Sequence, residues 1–406
     1  MVEESRSEAE WTARRRRTLI GLYALVTFLF WASQYLYVPT LPTYTKTKTD
    51  SLALVGLVLS QYGLWQAVTR FPLGIAADWI GRRKPFILTG MILAGLGALT
   101  MATAGSVRGL ALGRAITGVA ASTWVPLTVV FSSLFPAEEA VRATAILTAV
   151  GSSGRIVATS VTGSLNQVGG YSLPFFLAVA VAALAAIALL PAREETRPRR
   201  QPSLGSLGRL IVRRDVLLPS LLAAVSQYAT WAIPLGFLPI LAKQMGATDV
   251  TQSALVSLHI VVMTMGSLVA ATIVKRTGPQ KLVLGCFVLL SAGIVGAVLA
   301  RGLSMLTFAQ VCVGLAHGVS YPVLMGMSIE KVVDAERATA MGLHQAVYAA
   351  GMFAGPWLSG LLAEALGIQP MFGITALGCL AVGLFLVRLL PAQRAGSQTN
   401  ELPQVR

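Results

Sequence analysis

Apolar runs of about 20 residues recur twelve times along this chain, and each is long enough to cross the hydrocarbon core of a lipid bilayer. Hydrophobic residues make up 55% of the sequence and charged residues 12%, a balance that excludes an ordinary soluble domain. We therefore predict an all-α membrane protein with twelve transmembrane helices and both termini on one side. The predicted spans are 18–39, 51–73, 85–104, 109–131, 143–166, 173–191, 216–242, 251–274, 282–301, 305–329, 338–362 and 370–390.

The distribution of charge predicts the orientation of these helices. Basic residues gather in alternate connections, at 14–17, 82–84, 193–214, 275–281 and 331–337. The opposite connections hold only Lys46, Lys48, Arg108, Lys243 and Arg301. By the positive-inside rule, the N-terminus, the middle loop and the C-terminus face the cytoplasm, and the protein is multi-pass in the cell membrane. The net charge of +15 then follows from topology, and no nucleic-acid partner is expected.

Neither the first residues nor the cysteines indicate a functional site. We expect the acidic start to be an unstructured, solvated tail, and the first apolar run is too long and lacks the small-residue cleavage site of a signal peptide. Cys286, Cys312 and Cys379 all fall inside predicted spans without metal-ligand spacing, so they are interpreted as inert packing residues. Neither a metal nor a cofactor is expected.

The second half of the sequence repeats the first. Three segments recur in the same order, roughly 195 residues later: 33–35 as 226–228, 118–126 as 314–322, and 142–145 as 337–340. A parallel repeat of this kind predicts two pseudo-symmetric six-helix bundles that rock about a central cavity. The predicted divisions are a cytoplasmic tail 1–17, a bundle 18–191, a cytoplasmic linker 192–215, a second bundle 216–390 and a tail 391–406.

Prolines and glycines mark where such helices bend. Pro39 and Pro42 interrupt helix 1 near its outer end, and Pro234 and Pro239 do the same in helix 7. In helix 11, a hinge is predicted at Gly351, Gly355 and Pro356. The alternative for these glycines is tight helix packing without motion.

The connection 74–84 is the most informative loop. Gly74 and Gly81 supply backbone freedom for a short turn, and Arg82 and Arg83 form a basic stop that cannot enter hydrocarbon. Asp78 is held beside these cations, either in a local salt bridge or as a conformational latch to a neighbouring helix start.

This segment resembles the loop 2–3 signature of the major facilitator superfamily, Gly-x-Leu-Ala-Asp-Arg-x-Gly-Arg-Arg. Gly74, Asp78, Gly81, Arg82 and Arg83 match it, whereas Ala76 and Trp79 depart from it. Arg114 with Gly118 also resembles the Arg-x-x-x-Gly of the family's helix 4, which is frequent in proton-coupled members. The resemblance implies the twelve-helix fold of that family and transport of a small molecule by alternating access.

Ionisable residues inside spans mark the predicted transport path. Arg114 lies about 8 Å into helix 4 and Arg155 about 18 Å into helix 5. Each is either a structural brace or a site for a carboxylate- or phosphate-bearing substrate. Drug–proton antiporters commonly carry Gly-Pro where this chain has Gly154-Arg155, and this departure weakens assignment to that group.

Histidines and aromatic residues complete the candidate path. His259, His317 and His344 all fall in spans of the second bundle, where His317 is the best candidate for a proton carrier and hydrogen-bonded packing is the alternative. No acidic residue lies in the central third of a predicted span, so proton coupling by an intramembrane carboxylate is not expected. Cavity-lining residues are predicted in helices 1 and 7: Gln34, Tyr35, Gln227, Tyr228 and Trp231.

We predict a secondary active transporter, with proton-coupled efflux of a small organic molecule as the first interpretation. Uptake or exchange of an organic anion is the alternative, favoured by the two arginines. The sequence contains no metalloprotease, nucleophile-elbow or Walker motif, so neither an enzyme nor an ATP-driven pump is expected. A channel would not need a latch, and a monomer is expected.

Overall fold

A computed structural model of the chain describes residues 2–192, 194, 204–333 and 336–390. Within these ranges the protein is helical and contains no β-strand. Its α-helices are α1 (Val2–Tyr35), α2 (Leu41–Lys46), α3 (Leu52–Ile80), α4 (Lys84–Ala102), α5 (Val107–Ala121), α6 (Trp124–Ser132), α7 (Ala140–Gly169), α8 (Ser172–Leu189), α9 (Leu204–Ile211), α10 (Arg214–Ala232), α11 (Leu238–Gln244), α12 (Asp249–Thr277), α13 (Pro279–Val298), α14 (Leu303–Ile329), α15 (Arg337–Leu366) and α16 (Ile368–Leu389).

The all-α, twelve-helix prediction is confirmed. Eleven segments of the described chain are long and apolar enough to cross a membrane. The remaining predicted span corresponds to α7, which has 30 residues but carries Arg155 and many serines and threonines. It packs against α1 and α12, so these polar residues have protein neighbours on more than one side.

The first helix begins earlier than the sequence predicts. The structure extends α1 back to Val2, where we expected an unstructured tail up to residue 17. Alanine, glutamate and arginine are good helix formers, so the composition of this start favours a helix. The predicted C-terminal tail, 391–406, lies outside the described residues.

The predicted linker contains a helix of its own. In α9, Leu210 is buried in a small apolar cluster with Val216, Val332 and Leu343. Arg209 adds an ion pair with Glu336, with 2.6 Å between Nη2 and Oε1. This part of the linker is therefore docked on the second half; residues 193 and 195–203 lie outside the described part.

The two halves, α1–α8 and α10–α16, repeat the same packing. A Cβ at Gly118 in α5 would lie 2.6 Å from the carbonyl oxygen of Tyr62 in α3. In the second half, a Cβ at Gly314 in α14 would lie 2.9 Å from the carbonyl oxygen of His259 in α12. Both glycines let equivalent helices approach to backbone contact, which accounts for their recurrence in the sequence.

Proline-containing segments interrupt three of the spans. The chain turns through Pro39 between α1 and α2, and a π-helical turn at Ile233–Phe237 connects α10 to α11. The fourth span, which we predicted as continuous, is divided between α5 and α6. Pro126 lacks the N–H that would bond to the Ser122 carbonyl, so the helix loosens one turn before the proline.

The halves meet along α3 with α15 and along α7 with α12. We call the end of the bundle where α3 and α12 finish the basic end, and the opposite end the far end. Near the far end, a Cβ at Gly360 would lie 2.9 Å from the Cα of Gly56, so the backbones of α15 and α3 touch. Towards the basic end, a Cβ at Gly342 would lie 3.7 Å from the ring of Phe71, so α15 and α3 are also close there. These pairings place the sites described below between the two halves.

Candidate substrate site and gates

Three arginines project into the protein interior from helices of the first half. Arg70 in α3 is 4% exposed, Arg114 in α5 is 2% exposed, and Arg155 in α7 is half-buried. The Nε atom of each has no hydrogen-bond partner, and none of the three forms an ion pair with a carboxylate of the described residues. Burying a guanidinium is costly unless its charge is compensated.

Aromatic rings supply part of that compensation. The Arg114 guanidinium lies 4.4 Å from the centroid of the Tyr62 ring, and that of Arg155 lies 4.3 Å from Trp31 and 5.6 Å from Tyr35. These distances are in the range of cation–π attraction, which is strongest in a desolvated site. The rings stabilise the cations without neutralising them, so the region keeps a net positive charge.

Arg70 reaches across to the other half. Its guanidinium donates a hydrogen bond to the Tyr348 hydroxyl on α15 and lies 5.3 Å from the centroid of the same ring. Tyr348 meets Tyr321 edge to face at 5.9 Å between ring centroids. Arg70 is therefore both a buried cation and a link between the halves.

The second half adds aromatic surface. Trp231 in α10 stacks on Tyr62 with 5.1 Å between ring centroids. The predicted residues fall into two sets of ring contacts: Tyr62 joins Arg114 to Trp231, and Trp31 and Tyr35 both face Arg155. The first set contains a ring from each half, so aromatic and cationic side chains meet between the halves.

Other predicted path residues lie at its margin or outside it. Gln34 Nε2 donates to the Thr117 carbonyl at 3.3 Å, while Gln34 Oε1 has no partner. Gln227 is buried. Tyr228 instead shares a hydrogen bond with Ser359 at 3.2 Å, within the second half. Tyr228 is thus not part of the ring contacts around the arginines.

The histidines are all buried and hydrogen-bonded within the second half. His317 Nδ1 lies 2.9 Å from the Ser226 hydroxyl, and His344 Nδ1 lies 3.1 Å from the Ser220 hydroxyl. His259 Nδ1 lies 3.4 Å from the Gln310 carbonyl. These contacts fit the packing alternative, and proton transfer by His317 stays a prediction. In the described residues, no group of three or more His, Cys, Asp or Glu side chains is placed to hold a metal.

Sequence reasoning missed Arg70, Tyr62 and Tyr348. Arg70 lies within predicted span 51–73, so its charge was a visible signal. The two tyrosines carry no such signal, because an aromatic residue in a span is usually a packing or interfacial residue.

At the far end, a hydrogen-bonded network closes the space between the halves. Asp249 in α12 accepts from Asn166 Nδ2 in α7 at 2.9 Å through Oδ2, and from Lys243 Nζ at 2.8 Å through Oδ1. Thr43 donates to Gln252 Oε1 at 3.0 Å. We call Asp249, Lys243, Asn166, Thr43 and Gln252 the far-end gate.

A second far-end contact joins α3 to α15. Glu364 Oε2 accepts from the backbone N–H groups of Leu52 at 2.5 Å and Ala53 at 3.3 Å. These are unpaired donors at the start of α3, where a carboxylate also interacts favourably with the helix dipole. An acid of one half therefore caps a helix of the other.

At the basic end, the residues of the predicted latch have different surroundings. Gly81 ends α3 with φ of +72°, a conformation that favours glycine. A Cβ at Gly74 would meet nothing within 4 Å, so packing does not require glycine there. Arg82 is exposed and Arg83 is half-buried. The Asp78 side chain lies outside the described part, and the latch stays a prediction.

The latch hypothesis places the Asp78 carboxylate at the start of a neighbouring helix. In the structure, the carboxylate of Glu194 lies at such a position, at the start of α4. Its two carboxylate oxygens accept from the backbone N–H groups of Arg83 and Lys84, each at 2.7 Å. Lys84 Nζ in turn donates to the carbonyls of Leu190 and Ala192, each at 2.7 Å. The beginning of the linker is thereby fastened to the start of α4.

The predicted hinge glycines are packed against backbone. A Cβ at Gly351 would collide with the Ala224 carbonyl oxygen of α10, and one at Gly355 with that of Tyr228. Pro356 lies inside α15, which continues without interruption. These contacts agree with the tight-packing alternative, and a hinge at Gly351, Gly355 and Pro356 stays a prediction.

The fold and its central polar region define a multi-pass membrane transporter. The sequence model of the Major Facilitator Superfamily matches residues 23–225 and 220–404. The chain belongs to this superfamily.

Curated relatives agree with this assignment. The chain is 35% identical over 113 residues to the inner membrane transport protein YajR of Escherichia coli, an alignment over 28% of this chain and 24% of YajR. It is 20% identical over 356 residues to the uncharacterized MFS-type transporter MJ1560 of Methanocaldococcus jannaschii, covering 85% and 91% of the two chains. It is 29% identical over 185 residues to the chloramphenicol efflux pump Rv0191 of Mycobacterium tuberculosis, covering 45% and 43%.

Solved structures share the fold. A bacterial homologue of the human lysosomal transporter Spinster, inward-facing and unoccupied, superimposes with a TM-score of 0.79 at 16% identity, covering 93% of this chain and 97% of that one. The nucleoside transporter NupG gives a TM-score of 0.74 at 17% identity, covering 92% and 100%. Identities this low establish the architecture alone.

Proposed function

We propose that this protein is a secondary active transporter that moves an organic anion by alternating access. The observation that carries the proposal is a set of three guanidiniums, buried at Arg70 and Arg114 and half-buried at Arg155, without an ion-paired carboxylate in the described residues. A carboxylate or phosphate entering this region supplies the missing negative charge and a pair of oxygen acceptors for bidentate hydrogen bonds.

The rings around the arginines narrow the substrate class. Trp31, Tyr35, Tyr62 and Trp231 offer stacking surface beside the cations. An anion with a flat apolar or aromatic body fits this combination better than a small inorganic ion, which would leave the rings unused.

Alternating access needs a gate at each end of the site. The far-end gate joins α2 and α7 of the first half to α12 of the second half by hydrogen bonds. In the transport cycle we propose, these bonds break to admit substrate from the far end. Contacts at the basic end then separate in the opposite state.

Pairs of ligands with the same body but different charge test the substrate class. Purified protein is screened by thermal shift against aromatic carboxylates and phosphates, each beside its uncharged amide or ester. We expect the anions to raise the melting temperature more than their neutral partners, and Arg155→Gln to remove that difference. Arg108→Gln, at an exposed position in the first turn of α5, is the matched control. Equal responses to anions and neutral partners in the unmodified protein would refute the anion proposal.

Proton-coupled export of a small organic molecule is the second candidate. Partial similarity to the chloramphenicol efflux pump favours export, and the buried His317–Ser226 pair offers a titratable group near mid-membrane. Transport into inverted vesicles under an imposed pH gradient tests this candidate. His317→Gln should flatten the pH dependence of the transport rate, and an unchanged profile excludes His317 as the proton carrier.

We also propose that the protein is a monomer in the cell membrane with its basic end in the cytoplasm. The clustered basic residues at that end support the orientation through the positive-inside rule. Membrane-impermeant labelling of single cysteines placed at Lys48 and at Lys275 distinguishes the two orientations in intact cells.

A further inference from the structure

A groove on the outer surface of the second half has no role in the substrate site. It has a volume of about 530 Å³ and lies between the last turns of α12, the first turns of α13 and the middle of α14. Its walls are mainly apolar, including Ile273, Leu282, Leu289, Leu315 and Val319. Leu315 is 38% exposed, so the groove faces outward from the bundle.

Two cations stand at the mouth of this groove. Arg276 at the end of α12 and Lys281 in the first turn of α13 both line it and are exposed. Neither forms an ion pair with a carboxylate of the described residues. Lys275, beside Arg276, adds a third exposed basic residue at the same level.

The groove therefore has a polar end and an apolar end. From Lys281 to Leu289 along α13 the distance is about 12 Å, at 1.5 Å per residue. Leu315 and Val319 in α14 line the deeper part, nearer the middle of the bundle. An amphiphile with an anionic head and a hydrocarbon tail matches this arrangement, whereas a small water-soluble anion would leave the apolar walls unfilled.

Glycine keeps the groove open. A Cβ at Gly285 meets no atom within 4 Å, so no packing contact requires glycine at that position. Cys286 and Ala316 form part of the lining. On their inner side these two residues lie near Ser226, the partner of His317. The groove thus approaches the interior of the second half.

We propose that this groove binds an anionic phospholipid of the membrane leaflet at the basic end. Its phosphate lies against Arg276 and Lys281, and one acyl chain fills the space beside Gly285, Leu289 and Leu315. Basic pockets between transmembrane helices recognise acidic headgroups in this way, with each nearby cation contributing to the attraction. The inference does not depend on the identity of the transported substrate.

Native mass spectrometry of the full-length protein in detergent, titrated with phosphatidylglycerol or phosphatidylcholine, tests the proposal. We expect tighter binding of phosphatidylglycerol, and Arg276→Gln with Lys281→Gln should weaken it by about fivefold per charge removed. Gly285→Leu should fill the groove and weaken the binding of both lipids. Arg301→Gln, at the far end, and Gly378→Leu, at an exposed glycine of α16 with nothing within 4 Å of its Cβ, are the matched controls.

The charge variants carry the test if Gly285→Leu lowers the yield of folded protein, because both altered side chains are exposed. Equal affinity for the two lipids overturns the proposal. Phosphatidylglycerol binding that survives in the double charge variant also overturns it. A dimer that forms through this face and is lost in Gly285→Leu would assign the groove to a second copy of the chain instead.

Discussion

At the scale of single residues, the central site is built from cations that face rings. The centroid of the Tyr62 ring lies 4.4 Å from the Arg114 guanidinium and 5.1 Å from the centroid of the Trp231 ring. One aromatic ring of the first half therefore stabilises a buried charge and also contacts the second half. Both contacts are made by the aromatic ring of Tyr62 and not by its hydroxyl group.

The variants Tyr62→Phe and Tyr62→Leu separate the contribution of the Tyr62 ring from that of its hydroxyl. Phenylalanine keeps the ring, so we expect a small change in stability. Leucine removes both the cation–π and the stacking contact, and we expect a loss of about 1–3 kcal/mol. Thermal unfolding in detergent measures the difference. Equal destabilisation by both variants would show that the hydroxyl, and not the ring, matters.

Glu194 acts through one carboxylate at the start of α4. With both oxygens at 2.7 Å from backbone donors, it stabilises the loop that carries the family signature. We expect Glu194→Gln to cost about 1 kcal/mol, because a neutral amide loses the charge-assisted bonds and the dipole interaction. Glu139→Gln is the control, since the Glu139–Arg142 pair is long at 3.4 Å and exposed. Equal melting temperatures for both variants would contradict the capping role.

At the scale of helices, glycines set the distances between elements. Gly56 lies against the backbone of α15, where a Cβ would collide with the Pro356 carbonyl and lie 2.8 Å from the Gly360 Cα. A side chain at this position cannot be accommodated by a rotamer change, because its neighbours are main-chain atoms. The close approach of α3 and α15 near the far end depends on this pair of glycines.

Gly56→Ala should therefore push α3 and α15 apart and favour a state with an open far end. Spin labels on cysteines placed at Lys48 and Gln244, with distances measured by pulsed EPR, report the separation. The three native cysteines are buried and interfere little. Gly21→Ala, where a Cβ meets nothing within 4 Å, is the control and should leave the distances unchanged. An unaltered distribution in Gly56→Ala would show that the helices adapt without opening.

At the scale of the whole molecule, the carboxylate of Asp249 is one of the groups through which the far-end gate joins the two halves. Asp249 accepts hydrogen bonds from Asn166 in the first half and from Lys243 and Gln252 in the second. A carboxylate has only acceptors, whereas the amide of asparagine presents one acceptor and one donor group. Replacing Asp249 thus places a donor against a donor in the closed gate.

We expect Asp249→Asn to shift the population of molecules towards the state with an open far end. Thiol labelling of a cysteine placed at Thr43, a buried member of the gate, should be several-fold faster with Asp249→Asn than in the same cysteine variant with Asp249 intact. Asp50→Asn is the control, because the Asp50 side chain is fully exposed and its ion pair with Lys46 is long, at 3.7 Å. Unchanged labelling in Asp249→Asn would mean that the gate is held by packing and not by these bonds.

The sequence by itself determined the helices, the duplication and the family of this protein. Span length, hydropathy and repeated short segments are local properties, so they can be read without knowing how helices are rotated. Arg114 and Arg155 were visible for the same reason, as charges inside apolar runs. The early start of α1 and the division of the fourth span were not predicted, although the helix-forming residues of the first segment and Pro126 in the fourth span are visible in the sequence.

Only the tertiary structure decided which side chains meet. Arg70 and Tyr348 are 278 residues apart, and their contact depends on the rotation and crossing of α3 and α15. The same geometry turned Tyr228 towards Ser359, packed Gly351 and Gly355 on backbone, and assembled the far-end gate. Helix rotation within a bundle is fixed by packing summed over many distant contacts, and no local pattern in the sequence specifies it.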